Sequence, residues 1–192
     1  MDMNFISKTE NNIDLNLALT EYINIIEAQN WPKKYDSEGN TLSSNQIGLN
    51  YRPGASDQWL DNTGSLYNSS LQQFDAKEKD FTEFNIENAP YTIKFIKNLA
   101  KKIGFKIGRV RYMRLQEKTG LTVHQDLEQR YHIALITHPS AFFGEVIDHN
   151  EYSAKCYHIP ADGYVYKVDT RRKHFVYNGG RQDRVHIVIS EA

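Results

Sequence analysis

The sequence is short of several things, and each absence narrows what it can be. It has a single cysteine, Cys156, in 192 residues, so no intrachain disulfide can form, and a reducing compartment fits. An excess of charge of one sign is missing too. The formal net charge is −1, and the N-terminal half carries no basic stripe, which speaks against nucleic acid or an anionic membrane as partner. No apolar run approaches the roughly 18 residues that a membrane span requires. The opening stretch "MDMNFISKTENNIDLNLAL" lacks a basic segment followed by an apolar one. It is read as carrying no signal peptide, and the expected compartment is the cytoplasm. Repeats, low-complexity tracts and an interdomain linker are absent as well. The expectation is one domain over residues 1–192, long enough for a sizeable core. Nothing in the composition speaks to its oligomeric state.

What is there divides into two styles. In residues 1–104, "IDLNLALTEYINIIEAQNW" places apolar residues mostly at helical spacing, and "APYTIKFIKNLAKKIG" has Pro90 near its start and Gly104 at its end; both predict helices. Between them "PKKYDSEGNTLSSN" reads as loop, "QIGLNYR" as a short strand, and the stretch from Tyr51 to Phe74 as a long turn-rich excursion. From Phe105 onward, eight short strands follow one another: "KIGRVRYMRLQ", "LTVHQ", "RYHIALIT", "AFFGEVI", "KCYHI", "YVYKVD", "KHFVYN" and "RVHIVIS". The expected fold is mainly β, a double-stranded β-helix (a jelly-roll or cupin-like core) over residues 105–192, with the N-terminal α-helices flanking one sheet.

The chemistry concentrates in that core. In "HQD", His124 and Asp126 stand at i and i+2 on extended chain, so their side chains share a side and can grip one ion. The tripeptide alone is weak, and taken by itself it better suits a wet strand end. In an eight-stranded jelly roll, however, the second and seventh strands are neighbours, which brings His174 beside them. Two histidines and one carboxylate form the facial triad of non-haem Fe(II) oxygenases, with three positions left for a chelating cosubstrate and O2. Arg184, at the start of the eighth strand and on one face with His186 and Val188, would grip the far carboxylate of an anionic 2-oxo acid. On "RYHIALIT" the cavity face carries Arg130 and His132. His132 reads alternatively as a hydrogen-bonded core histidine, and Arg130 as a rim ion pair with Glu128 or Asp148. Cys156 reads as a small core residue.

At this point the sequence resembles the 2-oxoglutarate/Fe(II)-dependent dioxygenases, in particular the aspartyl/asparaginyl β-hydroxylase-like branch. The resemblance rests on "HQD", on "RYHIAL" and on "GYVYKVDTRRKHFVYNGGRQDRVHIVI", and it covers Phe105 to the C-terminus. It implies that His124, Asp126 and His174 bind Fe(II) and that Arg184 holds the distal carboxylate of 2-oxoglutarate. Arg130 and His132 would meet the other end of the cosubstrate, and His186 would supplement the carboxylate grip. Asn178, on one face with His174, either contacts substrate or shapes the turn before Gly179. Some members of the branch have glycine in place of the triad carboxylate; this chain keeps Asp126, as in a small bacterial or phage-encoded member. The implied reaction consumes O2 and 2-oxoglutarate, releases succinate and CO2, and hydroxylates an amino-acid side chain, free or peptidyl, or another small metabolite. The rival reading is a cupin-like metal-binding protein without oxygenase activity, which leaves Arg184 unexplained.

The first hundred residues match no motif. Their long excursion, with Arg52, Trp59, Asp61 and Tyr67, is either a substrate-binding lid or a surface loop held by Trp59. Arg111 and Arg114 stand three apart on the first core strand, on opposite faces, so only one of them can face the cavity.

Overall fold

The computed structural model describes residues 4–35, 41–148 and 153–192. In the N-terminal half, β1 (Ile6–Asn12) leads into α1 (Leu15–Gln29), followed by β2 (Lys33–Tyr35), β3 (Thr41–Ser43), β4 (Gln46–Gly48) and β5 (Asn50–Tyr51). After these come β6 (Tyr67–Asn68), β7 (Gln73–Phe74), β8 (Glu83–Phe84) and α2 (Pro90–Ile103). The eight strands expected in the second half are all present: β9 (Ile107–Leu115), β10 (Gly120–His124), β11 (Arg130–Ile136) and β12 (Ala141–Asp148), then β13 (Ser153–Tyr157), β14 (Tyr164–Val168), β15 (His174–Asn178) and β16 (Arg184–Glu191). No helix among the described residues is long and apolar enough to cross a membrane.

The chain forms two compact units. The first comprises residues 1–15 and 114–188. One of its sheets runs β10-β15-β12-β13, and in the other β1, β14, β11 and β16 lie side by side. Phe5, Leu115, Ala134, Phe143, Ile159, Tyr166, Val168 and Val176 fill the space between the sheets. Inward residues come from alternate positions of each strand, as the two-residue period of a pleated chain requires. This is the jelly-roll architecture read from the second half of the sequence.

Two expectations are corrected, and one strand has no signal of its own in the sequence. The polar stretch from Ile6 to Asn12, to which the sequence assigns no element, is a strand. It pairs antiparallel with β14, Ile6 opposite Val168 and Lys8 opposite Tyr166, and its backbone is recruited by that partner rather than by its own side chains. Lys33–Tyr35 and Thr41–Ser43, read as loop, form a small antiparallel ladder; the remainder of that expected loop, residues 36–40, lies outside the described residues. Cys156 is exposed rather than a core residue, because it lies on β13, the last strand of its sheet, opposite Gly144.

The second unit comprises residues 16–113 and 189–192. Here α1 lays Ala18, Tyr22 and Ile25 inward, and Tyr22 meets Tyr112 of β9 edge-on with centroids 5.2 Å apart. Pro90 opens α2, and Gly104 closes it in the left-handed conformation at φ 85°, which costs glycine no side-chain clash. The carboxylate of Glu21 accepts the Tyr91 and Thr92 amides at 2.6 and 2.9 Å, serving donors that the first turn of α2 cannot satisfy internally. Three buried asparagines then organise the long excursion. Asn50 donates to the carbonyls of Phe81 and Gly108, Asn62 to those of Asn50 and Val110, and Asn85 to that of Gly48.

Candidate metal centre

β10 and β15 are antiparallel neighbours, and their register sets His124 directly opposite His174. Residues paired in this way share a face of the sheet, and the two imidazole centroids are 4.3 Å apart. Asp126 follows on the loop after β10. Its amide donates to the Thr170 carbonyl at 2.8 Å, which ties that loop to the one leading into His174. The ligand-capable atoms of His124, Asp126 and His174 all lie within 4.8 Å of one another.

Each imidazole is turned for coordination. His124 Nδ1 lies 2.7 Å from the Thr122 carbonyl and His174 Nδ1 2.8 Å from that of Arg172. A carbonyl only accepts, so each Nδ1 carries the proton and each Nε2 presents a lone pair. Burial also keeps His174 below its usual 6.5 and hence neutral. The carboxylate is divided between two tasks. Asp126 Oδ1 accepts Arg130 Nη2 at 2.6 Å, whereas Oδ2 is buried without a hydrogen-bond partner, 3.9 Å from His174 Nε2. An orphaned carboxylate oxygen beside two imidazole lone pairs is the donor set of a divalent metal.

Across the cavity lies Arg184 on β16. It is buried, its Nη2 lies 3.1 Å from His186 Nδ1, and its guanidinium stands 5.0 Å from the Phe143 ring centroid. No carboxylate pairs with it among the described residues. Burial alone pushes its basicity down to about 9. The Phe143 ring is also 6.4 Å from His174 and 5.0 Å from His132, so His174 of the triad, Arg184 and His132 surround one aromatic floor. His186 accepts from Arg184 through Nδ1, which leaves its proton on Nε2, a buried donor with no acceptor.

Burial, then the adjacent Arg184 charge and His132 and His158, hold His186 well below its usual 6.5. The sign of the consequence is fixed. The unfolded chain takes up a proton below about pH 6.5 that the folded chain refuses, so stability falls as pH drops from there. Urea unfolding between pH 7 and 5 is expected to show wild type losing about 2 kcal/mol more over that interval than His186→Gln, with the slope steepening toward the acid end. Equal slopes would remove His186 from the account.

Asn178 is reassigned. It is fully buried, and its amide donates to the carbonyls of Leu115, Gln116 and Gln182 at 3.0, 3.2 and 2.8 Å. Its Oδ1 accepts the Gly180 amide. Both amide hydrogens are thereby spent on backbone carbonyls around the turn, which leaves no donor for a substrate. Asn178→Ala is therefore expected to destabilise the fold by about 2–4 kcal/mol through unpaired buried carbonyls, without changing metal affinity. A lowered metal affinity at unchanged stability would reverse that assignment.

Arg52 and Trp59 belong to the second unit. The Arg52 guanidinium meets both Asp61 oxygens, with Nε at 3.0 and 3.1 Å, and the Trp59 carbonyl accepts the Gly48 amide at 2.8 Å. Arg111 of β9 is buried against Gln46 at 3.1 Å, and Arg114 of the same strand pairs with Asp183 at 3.5 Å.

One residue beside the metal centre escaped the sequence reading. Glu145 of β12 is the register partner of His174 and is buried. The signal was present: in "AFFGEVI" it shares the inward parity of Phe143.

The model of the aspartyl/asparaginyl beta-hydroxylase family matches residues 20–191. Among solved structures, the chain is similar to a prolyl hydroxylase in complex with a hypoxia inducible factor oxygen degradation domain peptide fragment, from Trichoplax adhaerens. The identity is 11% and the TM-score 0.55, over 99% of this chain and 84% of that one. It is also similar to an oxidoreductase of the 2OG-Fe(II) oxygenase family from Burkholderia pseudomallei, at 12% identity and TM-score 0.50, over 90% of this chain and 78% of that one. None of the curated proteins matches the sequence. At these identities the two structures speak to fold.

Proposed function

Because the chain belongs to the aspartyl/asparaginyl β-hydroxylase family, we propose that it is an Fe(II)- and 2-oxoglutarate-dependent oxygenase that hydroxylates an amino-acid side chain, free or in a peptide, or another small metabolite. The observation that carries the reading is Arg184, a buried cation with no carboxylate partner among the described residues, facing the same aromatic floor as a two-histidine, one-carboxylate cluster. A guanidinium in that setting is stable only with an anion to meet it, and a metal-chelating dicarboxylate supplies one.

His124 and His174 would hold the ion through Nε2 and Asp126 through Oδ2. When bound, Fe(II) and 2-oxoglutarate supply O2 activation, with succinate and CO2 as by-products. The remaining work falls to the chain. Arg130 fixes Asp126 so that Oδ2 faces the histidines, and Arg184 orients the far carboxylate. His186 offers its Nε2 proton toward the cavity. Phe143, with Phe5 at 6.0 Å from the His174 ring, keeps the interior dry. No protein nucleophile or base is needed, and nucleic acid is not a proposed partner.

The test is an anaerobic titration of Fe(II) and 2-oxoglutarate into the protein, watched for the weak visible metal-to-ligand charge-transfer band. Its appearance supports the oxygenase. Metal binding without the band favours a cupin-like metal protein, and no metal binding removes both.

A further inference from the structure

We propose that Glu145 is the recognition point for a cationic nitrogen of the substrate, with Arg172 occupying that place until substrate enters. The inference rests on the oxygenase reading and names the substrate class that reading leaves open.

Glu145 stands opposite His174 in the ladder of β12 and β15, so the two side chains leave the sheet on the same face. That face is the cavity face, since Phe143, two residues earlier, belongs to the core between the sheets. Opposite Phe143 on β13 is Tyr157, whose hydroxyl donates to Glu145 Oε2 at 2.8 Å. Phe5 closes the ring of neighbours, 5.5 Å from Tyr157 and 6.0 Å from His174. A buried carboxylate therefore sits next to a residue of the candidate metal triad, on the face from which His174 projects.

Such a carboxylate needs a positive partner, and the structure gives it the Arg172 guanidinium at Oε1. The two partners are unequally placed. The Glu145 side chain is 4% exposed and that of Arg172 43%. Arg172 lies on the turn before β15, so its long side chain has a path into water, whereas the carboxylate cannot follow. Departure of Arg172 leaves a buried anion in need of a cation. An ammonium or guanidinium of the substrate meets that need and is held beside the metal by the exchange. A substrate without a cationic nitrogen offers nothing to displace Arg172.

The experiment uses the full chain loaded with Zn(II) and 2-oxoglutarate, so that nothing turns over, and calorimetric titration of three probes. These are L-norleucine, whose cation is the α-ammonium, Nα-acetyl-L-lysine methylamide, whose cation is on the side chain, and Nα-acetyl-L-norleucine methylamide, which has none. One of the two cationic probes is expected to bind, and which one tells a free amino acid from a basic side chain. Glu145→Gln should weaken that binding by about 30-fold or more, as for removal of one member of a buried charge pair. Arg172→Gln should tighten it several-fold, because a competitor is gone. If both variants weaken binding alike, or if no probe binds to wild type or to Arg172→Gln up to about 10 mM, the pair is structural and the inference is overturned. Should Glu145→Gln fail to fold, the tightening in Arg172→Gln decides alone. The charge-transfer band serves as the separate control. A band without Glu145-dependent binding leaves the oxygenase standing and removes the recognition point, whereas absence of the band removes the oxygenase and, with it, this inference about its substrate.

Discussion

Replacing His174 or His124 by alanine is expected to abolish the Fe(II)–2-oxoglutarate charge-transfer band and to weaken metal binding by more than about 100-fold. Loss of a mere supporting hydrogen bond around a metal costs about 10- to 100-fold, and each of these residues supplies a coordinating lone pair outright. Asp126→Ala should do the same, since it removes the anionic ligand and leaves Arg130 without its 2.6 Å acceptor. The two histidine variants should part company in stability. His174 is 1% exposed and packed against Phe5 and Phe143, so its truncation opens a cavity worth about 1–3 kcal/mol. His124 is half-buried at the end of its strand, and its truncation should cost well under about 1 kcal/mol. His124→Ala is thus the cleaner test. A His124→Ala protein that keeps the band would end the assignment of the triad.

Arg184→Met should show two effects of opposite sign. Without 2-oxoglutarate the variant should unfold at a higher temperature than wild type, by about 1–3 kcal/mol, because an apolar side chain of similar length replaces a buried cation that no carboxylate meets among the described residues. With 2-oxoglutarate and metal present, wild type should gain stability in proportion to bound ligand, whereas the variant should gain almost none. Truncating one side of a buried, hydrogen-bonded charge pair costs about 2–5 kcal/mol, or roughly 30- to several-thousand-fold in affinity. Arg184→Lys should restore little, since a single ammonium cannot make two parallel hydrogen bonds to a carboxylate. The measurement is thermal unfolding with and without cosubstrate. A drop in stability of the unliganded variant would mean that Arg184 is structural.

The core was readable because its strands announce themselves. In "RVHIVIS" and "RYHIALI", polar and apolar residues alternate with period two, so the cavity faces of Arg184 and His132 follow from parity alone. The adjacency of His124 and His174 followed from strand order. Other features lie beyond parity. Ile6–Asn12 has no hydrophobic signature of its own and becomes a strand because β14 presents an edge to it. The partner that Arg130 shows for Asp126 depends on how the chain turns after His124. Glu145 precedes His174 by a hairpin and a further strand, and only the register of β12 on β15 reveals that the two face each other. Asn178 shares the parity of His174, but parity cannot say that backbone carbonyls will claim its amide.

Among the described residues β10 is the outermost strand of its sheet, laddered to β15 alone, and the pairing slips between Leu121 and His124. Leu121 and Val123 are about half exposed, at 45% and 46%. A strand held so sparsely belongs to the part of a fold that opens first, at a fraction of the global unfolding free energy. An ion bridging His124 to His174 is then a rivet across that seam. Losing such an ion and peeling the strand would be the same event approached from two directions. A metal bound there would be held by the free energy of keeping one edge strand closed, and the emptied form would expose that edge to proteases and to pairing with other chains.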